Sequence, residues 1–351
     1  MAKSKGKFIL KIIVAIIFIL SIGTGFVGLH YYNIIWKTNI ITELEKDGLF
    51  YIQTGASFDD VANSLYENGI INDRSSFIWV GEYMKYNTNI KPGRYQLKTG
   101  LNNKQLISLL RSGEQFPVIL TFNNIRLRNE LAGTIAKQIE ADSASIAAIF
   151  EDSELHKKYG FNRETFFSMF IPNTYEFKWN TNTEQFVVRM ATEYKNFWND
   201  DRRGKAKKLK LGQSEVSTLA AIVQKETAQN DEKPIVAGVY HNRIKKGMKL
   251  EADPTLIYAI GDFTIRRVLN KYKEVESPYN TYMHKGLPPG PICLPEISSL
   301  DAVLNRVDHE YIFFCAKEDF SGYHNFAITY SQHKANARKF HKAMNKAKIF
   351  K

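Results

Sequence analysis

The chain has 351 residues, enough for one large domain or two ordinary ones with an ample core. Its 44% hydrophobic and 13% aromatic content excludes a disordered polymer. The net charge of +12 invites a nucleic-acid partner, but the basic residues are dispersed apart from Asp201–Lys210 and a tail from His333 to Lys351, and an apolar N-terminal segment argues against one. Cys293 and Cys315 are too few for a disulfide scaffold, so buried free thiols are expected. The eight histidines form neither HExxH nor a Cys/His ligand cluster, and there is no glycine-rich phosphate loop. No metal site and no cofactor are therefore expected.

In chain order, Lys3, Lys5, Lys7 and Lys11 precede an uncharged run from Ile12 to Leu29, followed by His30, Tyr31, Tyr32 and Trp36. As a helix the run spans about 27 Å, enough for a bilayer core. Basic residues before it and aromatics after it predict a cytoplasmic 1–11, a transmembrane anchor at 12–32 and an N-in orientation. The chain would then be single-pass in the cytoplasmic membrane, with its bulk outside. A cleaved signal peptide is the competing reading. Ser21, Gly23 and Gly25 keep it open, although Leu29 to Tyr32 offers no small-x-small cleavage site.

Leu49–Ile52 reads as a strand ended by Gly55, and Ser57 as the N-cap of a helix carrying Val61 and Leu65, with Ile70 near its end. A second helical pattern runs through Phe77, Ile78, Val80 and Tyr83. Pro92-Gly93 is a turn into a strand at Tyr95–Leu97. This strand–helix–helix–strand order over 45–115 is similar to a LysM module, a small fold that in other proteins binds N-acetylglucosamine polymers. A helix over Asn102–Ser112 leads to a strand at Val118–Phe122. Helical stretches follow at Leu131, Ile135 and Ile139, and at Ile146 to Phe150. The expected fold class is α+β: an N-terminal transmembrane helix, the small βααβ module, and a larger mixed α+β catalytic domain over 116–351.

Glu226 is the residue that departs from a structural pattern. Leu219, Ile222 and Val223 recur at helical spacing, and position 226 continues their stripe. Burying an unpartnered carboxylate there costs several kcal/mol, and protonation is the escape. A Glu kept neutral near pH 7 is equipped to act as a general acid. The alternative is a structural pairing with an arginine or a capping role. Ser214 is the expected cap of this helix, with Glu215 favouring its N-terminal end. A second helix is expected from Pro234 through Val236, Val239, Tyr240 and Ile244, stopped by Gly247. Asp253 is expected to cap a helix containing Leu256 and Tyr258.

Half of the ten prolines lie between Pro278 and Pro295, which predicts an ordered loop. Its Tyr279, Asn280, Thr281 and Tyr282 offer ring, amide and hydroxyl surfaces suited to sugars. They are equally ordinary as turn formers and core aromatics. Tyr311–Phe314 reads as an apolar strand. Ala337, Phe340 and Met344 give the basic tail an amphipathic helix with a solvated face.

Three ordered blocks resemble the endolytic murein transglycosylases, the MltG or YceG-like family. The first holds Val223-Gln-Lys-Glu-Thr227, Ala237–Tyr240, Asn242-Arg243, Lys246–Met248 and Asp253–Thr255. The second is Ser277–Pro295, and the third Ile171–Phe177, where Asn173 replaces the family's Asp. Asn123-Asn124 stands where the family has a proline–glutamate–glycine turn. The resemblance implies cleavage of peptidoglycan glycan strands between N-acetylmuramic acid and N-acetylglucosamine, with Glu226 as single general acid and base. It implies a 1,6-anhydro product and termination of nascent strands, without metal or cofactor. Tyr279, Asn280, Thr281, Tyr282, Asn242 and His324 are the substrate-binding candidates. His324 falls in a glycine–x–histidine–x–phenylalanine pattern placed near the cleft, where it would bond substrate or orient Glu226. Implied partners are glycan strands, the membrane, and peptidoglycan synthases. Two rivals stand: a non-catalytic wall-binding scaffold, and a lysozyme-like hydrolase with Asp253 as second carboxylate.

Overall fold

The computed structural model describes residues 2–40, 48–265 and 267–348, with side chains from residue 7 onward. The expected start of the βααβ module at 45 and the end of the basic tail, 349–351, lie outside the described residues. The chain divides into two units, Met1–Val118 with Phe177–Asn180, and Ile119–Glu176 with Thr181–Lys351.

The first unit begins with α1 (Ala2–Trp36), longer at both ends than the uncharged run that predicts it. Its stretch Lys7–Trp36 is long and apolar enough to cross a membrane, and none of its most apolar window is buried in the protein. Large side chains from Phe8 to Leu29 are exposed, which water would not tolerate as a continuous surface. β1 (Leu49–Ile52), α2 (Phe58–Glu67), α3 (Arg74–Tyr83), β2 (Gly93–Gln96) and α4 (Asn103–Ser112) follow. The two strands pair antiparallel with Phe50 opposite Tyr95, and both rings enter the core formed with Val61, Leu65, Phe77 and Leu106. Ser57 caps α2 as its sequence predicts. Its hydroxyl accepts from the Asp60 amide at 3.2 Å while the Asp60 carboxylate accepts from the Ser57 amide at 2.9 Å.

The second unit contains all but the first residue of β3 (Val118–Phe122), α5 (Arg128–Ala136), α6 (Ser143–Ala148), α7 (Ser153–Lys158) and all but the last residue of β4 (Asn173–Phe177), with β3 paired to β4. There follow α8 (Thr183–Phe197), α9 (Asp200–Leu209), α10 (Gln213–Glu226), α11 (Lys233–Lys245), α12 (Asp253–Ile260) and α13 (Ile297–Leu304). The antiparallel pair β5 (Phe313–Ala316) and β6 (His324–Ala327) and the tail helix α14 (Tyr330–Lys346) complete it. Ile139 and Phe150, expected within helices, lie past the ends of α5 and α6 but are buried all the same. β5 starts at Phe313, two residues later than expected, although the Ile312 amide still bonds the Ala327 carbonyl at 3.1 Å.

α10 is the axis of this unit. Every residue from Val216 to Val223 is buried, so the helix is enclosed all round rather than along one stripe. α11, α12 and α13 pack against it. Its buried hydroxyls are satisfied within the helix, Ser217 by the Gln213 carbonyl at 3.2 Å and Thr218 by the Ser214 carbonyl at 2.8 Å. The cap differs from expectation. Gly212, not Ser214, occupies the N-cap, and its amide donates to the Glu215 carboxylate at 2.6 Å. Gly247 takes a left-handed φ of +63° just past the end of α11, the stop its sequence predicts. Cys293 is buried, but Cys315 is only half-buried; both are free thiols.

Candidate active site

Glu226 is the last residue of α10, where the enclosed helix emerges. It is half-buried. Its Oε1 accepts a hydrogen bond of 2.6 Å from the hydroxyl of Tyr240, which α11 carries in from its buried face. Desolvation raises the Glu226 carboxyl from an ordinary 4.5 to about 7, the Tyr240 bond opposing and the nearby Asp253 charge adding to the rise. The C-terminal end of the α10 dipole acts in the same upward direction. Burial and the Glu226 charge hold the Tyr240 phenol well above its ordinary value, so it remains a donor.

Asp253 faces this carboxyl from the start of α12. It does not cap that helix as expected, because Ala252 is the N-cap and Asp253 the first helical residue. Its side chain instead accepts a bond from the hydroxyl of Tyr282. Burial and this bond raise the Tyr282 phenol, and Glu226 and Glu251 add to the effect. Alongside, the guanidinium of Arg243 pairs with Glu251. Two carboxylates, each held by a tyrosine hydroxyl, therefore share one electrostatic neighbourhood.

The proline-rich loop holds Tyr282 in place. From Pro278 to Glu296 it contains no helix, and its one ladder contact is a bridge between Lys285 and Lys249. Asn280 and Thr281 are buried. The Asn280 amide donates to the carbonyls of Lys273 at 3.0 Å and Val275 at 2.8 Å, and its oxygen accepts from the Tyr282 amide at 3.0 Å. Thr281 accepts from the Ala252 amide at 3.0 Å and bonds the Thr255 hydroxyl at 2.8 Å. These two side chains build the loop and pin it to α12. Tyr279 packs its ring on Tyr258, centroids 4.9 Å apart, and among the described contacts Tyr282 is the one of the four that bonds a carboxylate of the pair, Asp253.

Asn242 and His324 also fall elsewhere. The Asn242 amide donates to the carbonyls of His309 at 2.6 Å and Tyr311 at 3.1 Å, tying α11 to the approach of β5. The hydrogen bonds of His324 go to Glu232 rather than to Glu226. The histidine Nδ1 lies 2.7 Å from Glu232, and its backbone amide donates to the same carboxylate at 2.7 Å. Glu232 is buried and also accepts from the Thr227 hydroxyl at 3.1 Å. It thereby ties β6 to the residue that follows Glu226. Sequence reasoning missed Tyr240 and Glu232. The available signal was a tyrosine inside the Val-Ala-Gly face of a helix, whose hydroxyl must find a partner when buried. Glu232 sits in a polar turn and looks solvated.

A half-buried carboxylic acid poised near neutrality and held by a phenol is the equipment of a general acid in a cleaving enzyme. The model of the YceG-like family matches residues 50–339, and the chain belongs to that family. It is 27% identical over 332 residues to an endolytic murein transglycosylase of Bacillus subtilis (strain 168), covering 89% of this chain and 91% of that one. It is 25% identical over 297 residues to an endolytic murein transglycosylase of Streptococcus pneumoniae serotype 2, covering 76% of this chain and 53% of that longer protein. A 2.6 Å crystal structure of a YceG-like protein from Listeria monocytogenes superposes with a TM-score of 0.52 at 26% identity, covering 82% of this chain and 97% of that one.

Proposed function

We propose that the chain is a membrane-anchored endolytic murein transglycosylase acting on peptidoglycan glycan strands, with Glu226 as its single general acid and base. The observation that carries this reading is the Glu226 carboxyl at the emerging end of α10, raised to about 7 and bonded on one oxygen by Tyr240 at 2.6 Å. With Oε1 occupied by the phenol, the acidic proton sits on Oε2, free to meet a glycosidic oxygen. Glu226 gives that proton to the oxygen linking muramic acid C1 to the glucosamine as the C1–O bond breaks. The carboxylate so formed is stabilised by the Tyr240 hydroxyl. It then takes the proton of the muramic acid's own 6-hydroxyl while that oxygen bonds to C1. The 1,6-anhydro ring closes, the glucosamine leaves with a free 4-hydroxyl, and Glu226 is protonated again.

Asp253 supports a second reading, since it lies near enough to raise Glu226. In a hydrolase it would act as nucleophile or activate water. Mass spectrometry of products from purified glycan strands separates the two. Anhydro ends, lighter by one water, are expected. Predominantly reducing muramic acid ends would sink the lytic reading and promote Asp253. Membrane tethering, with α1 oriented N-in, would confine cutting to strands emerging at the membrane surface and so suit termination of their elongation. The β1-α2-α3-β2 order supports a LysM-like glycan-binding role for the first unit.

A further inference from the structure

Residues 126–129, which span the start of α5, line two hollows that share Tyr258 as a wall. The smaller, about 90 Å³, holds Arg126 and Lys225 over Pro254, Ile257 and Ile292. Lys225 precedes Glu226 and Pro254 follows Asp253, so this hollow lies at the helix ends that carry both carboxylates. The larger, about 490 Å³, continues past Arg128 and Asn129 over Phe150 and Glu151.

The side-chain contacts described for the cations along this track are to neutral groups, although the Arg128 charge adds to the Arg163 bond in lowering the carboxyl of Glu151 in the larger hollow. Lys225 donates to the Asn124 amide oxygen at 3.1 Å, the Arg126 guanidinium lies 4.2 Å over the Phe263 ring, and Arg128 donates to the Arg163 carbonyl at 2.7 Å. Among the described residues none of the three forms a salt bridge with a carboxylate. Glu151, the acid in the larger hollow, is already held in a fork by Arg163, both bonds 2.9 Å. Half-buried guanidinium groups with donors to spare select carboxylates, and the apolar floor between them suits short aliphatic groups.

We infer that this groove binds the acidic peptide carried by muramic acid, making it a specificity subsite for peptide-bearing strands; the inference rests on the proposed glycan-strand substrate. Several cations spread over two hollows match a chain bearing several carboxylates. A strand stripped of peptide lacks the chain of carboxylates that would run along both hollows.

The test measures binding of uncleaved strands of equal length, peptide-bearing or amidase-stripped, to the full chain carrying Glu226→Gln. Peptide-bearing strands should bind at least about tenfold more tightly, the scale of one well-made charged contact. Arg126→Ala with Arg128→Ala should remove most of that difference and leave stripped-strand binding within about twofold, whereas Arg128→Lys alone should keep part of it. Equal affinity for the two strands before the arginines are changed, or a preference that survives their loss, overturns the inference. Anhydro ends made by the unsubstituted enzyme are scored separately. A groove without peptide preference is thus distinguished from an enzyme without lytic chemistry.

Discussion

At the scale of single residues, the raised Glu226 carboxyl makes stability and activity depend on pH in a definite direction. A group whose folded value lies above its unfolded one contributes stability that is complete below the unfolded value and lost as pH rises through the folded one. For Glu226 the window runs from its ordinary 4.5 to about 7. Glu226→Gln should therefore melt close to the parent at pH 4.5 and above it at pH 8 by differential scanning calorimetry, while losing at least about a hundredfold in rate. A melting difference that is flat across this range would place the shift on another group. Tyr240→Phe removes the bond that holds Glu226 down. The alkaline limb of its pH–rate profile should move upward, with turnover reduced roughly tenfold for loss of carboxylate stabilisation. An unmoved limb would show that Tyr240 does not set the acid.

At the scale of elements, the site depends on how closely α11 and the proline-rich loop are drawn in. Gly238 lies where α11 meets the segment before β5, and a Cβ there would stand 2.6 Å from the Val307 carbonyl oxygen and 2.5 Å from the His309 ring. Backbone cannot yield as a side-chain tip can, so Gly238→Ala should cost about 1–3 kcal/mol in urea unfolding. Because the same helix carries Tyr240 and Asn242, activity should fall with it. A neutral effect on stability would mean that the strand approach is free to shift. The elements themselves were largely legible: β3 falls on the predicted residues, α2 starts at its predicted cap, and the loop is irregular where proline forbids regular pairing. The assignments of Asn242, Asn280 and His324 to substrate were not supported by their surroundings. The partners of Asn242 and His324, Tyr311 and Glu232, lie 69 and 92 residues away and are set by folding, whereas Asn280 turns back on Lys273 only seven residues before it.

At the scale of the whole molecule, α1 is expected to hold the protein in the membrane fraction with its original N-terminus. External protease should reach the chain beyond Tyr32. Recovery of mature protein lacking the first thirty residues from the soluble fraction would overturn the anchor. The structure also says where a soluble form must begin. Ile34 and Ile35 pack on the core of the first unit, and the Asn103 amide donates to the Ile34 carbonyl at 2.9 Å. Asn39 is buried and bonds Asp73 and Asn103. A chain starting at Asn39 would lose the isoleucine contacts, so one starting near Tyr32 should be the more stable.

Sequence alone determined the features that depend on neighbours along the chain: the apolar N-terminal helix, the Ser57-capped helix and the short strands, the ordered proline-rich loop, and a carboxylate misplaced on a buried helix. Local propensity, periodicity and desolvation suffice for these. Only tertiary structure decided what that carboxylate meets. The Tyr240 hydroxyl arrives from the next helix, Tyr282 and Asp253 converge from segments 29 residues apart, and Glu232 ties Thr227 to a strand 92 residues further on. Such contacts leave no periodic trace. Each residue's own stretch explains it as core, turn or surface, and its chemistry depends on which distant backbone folds against it.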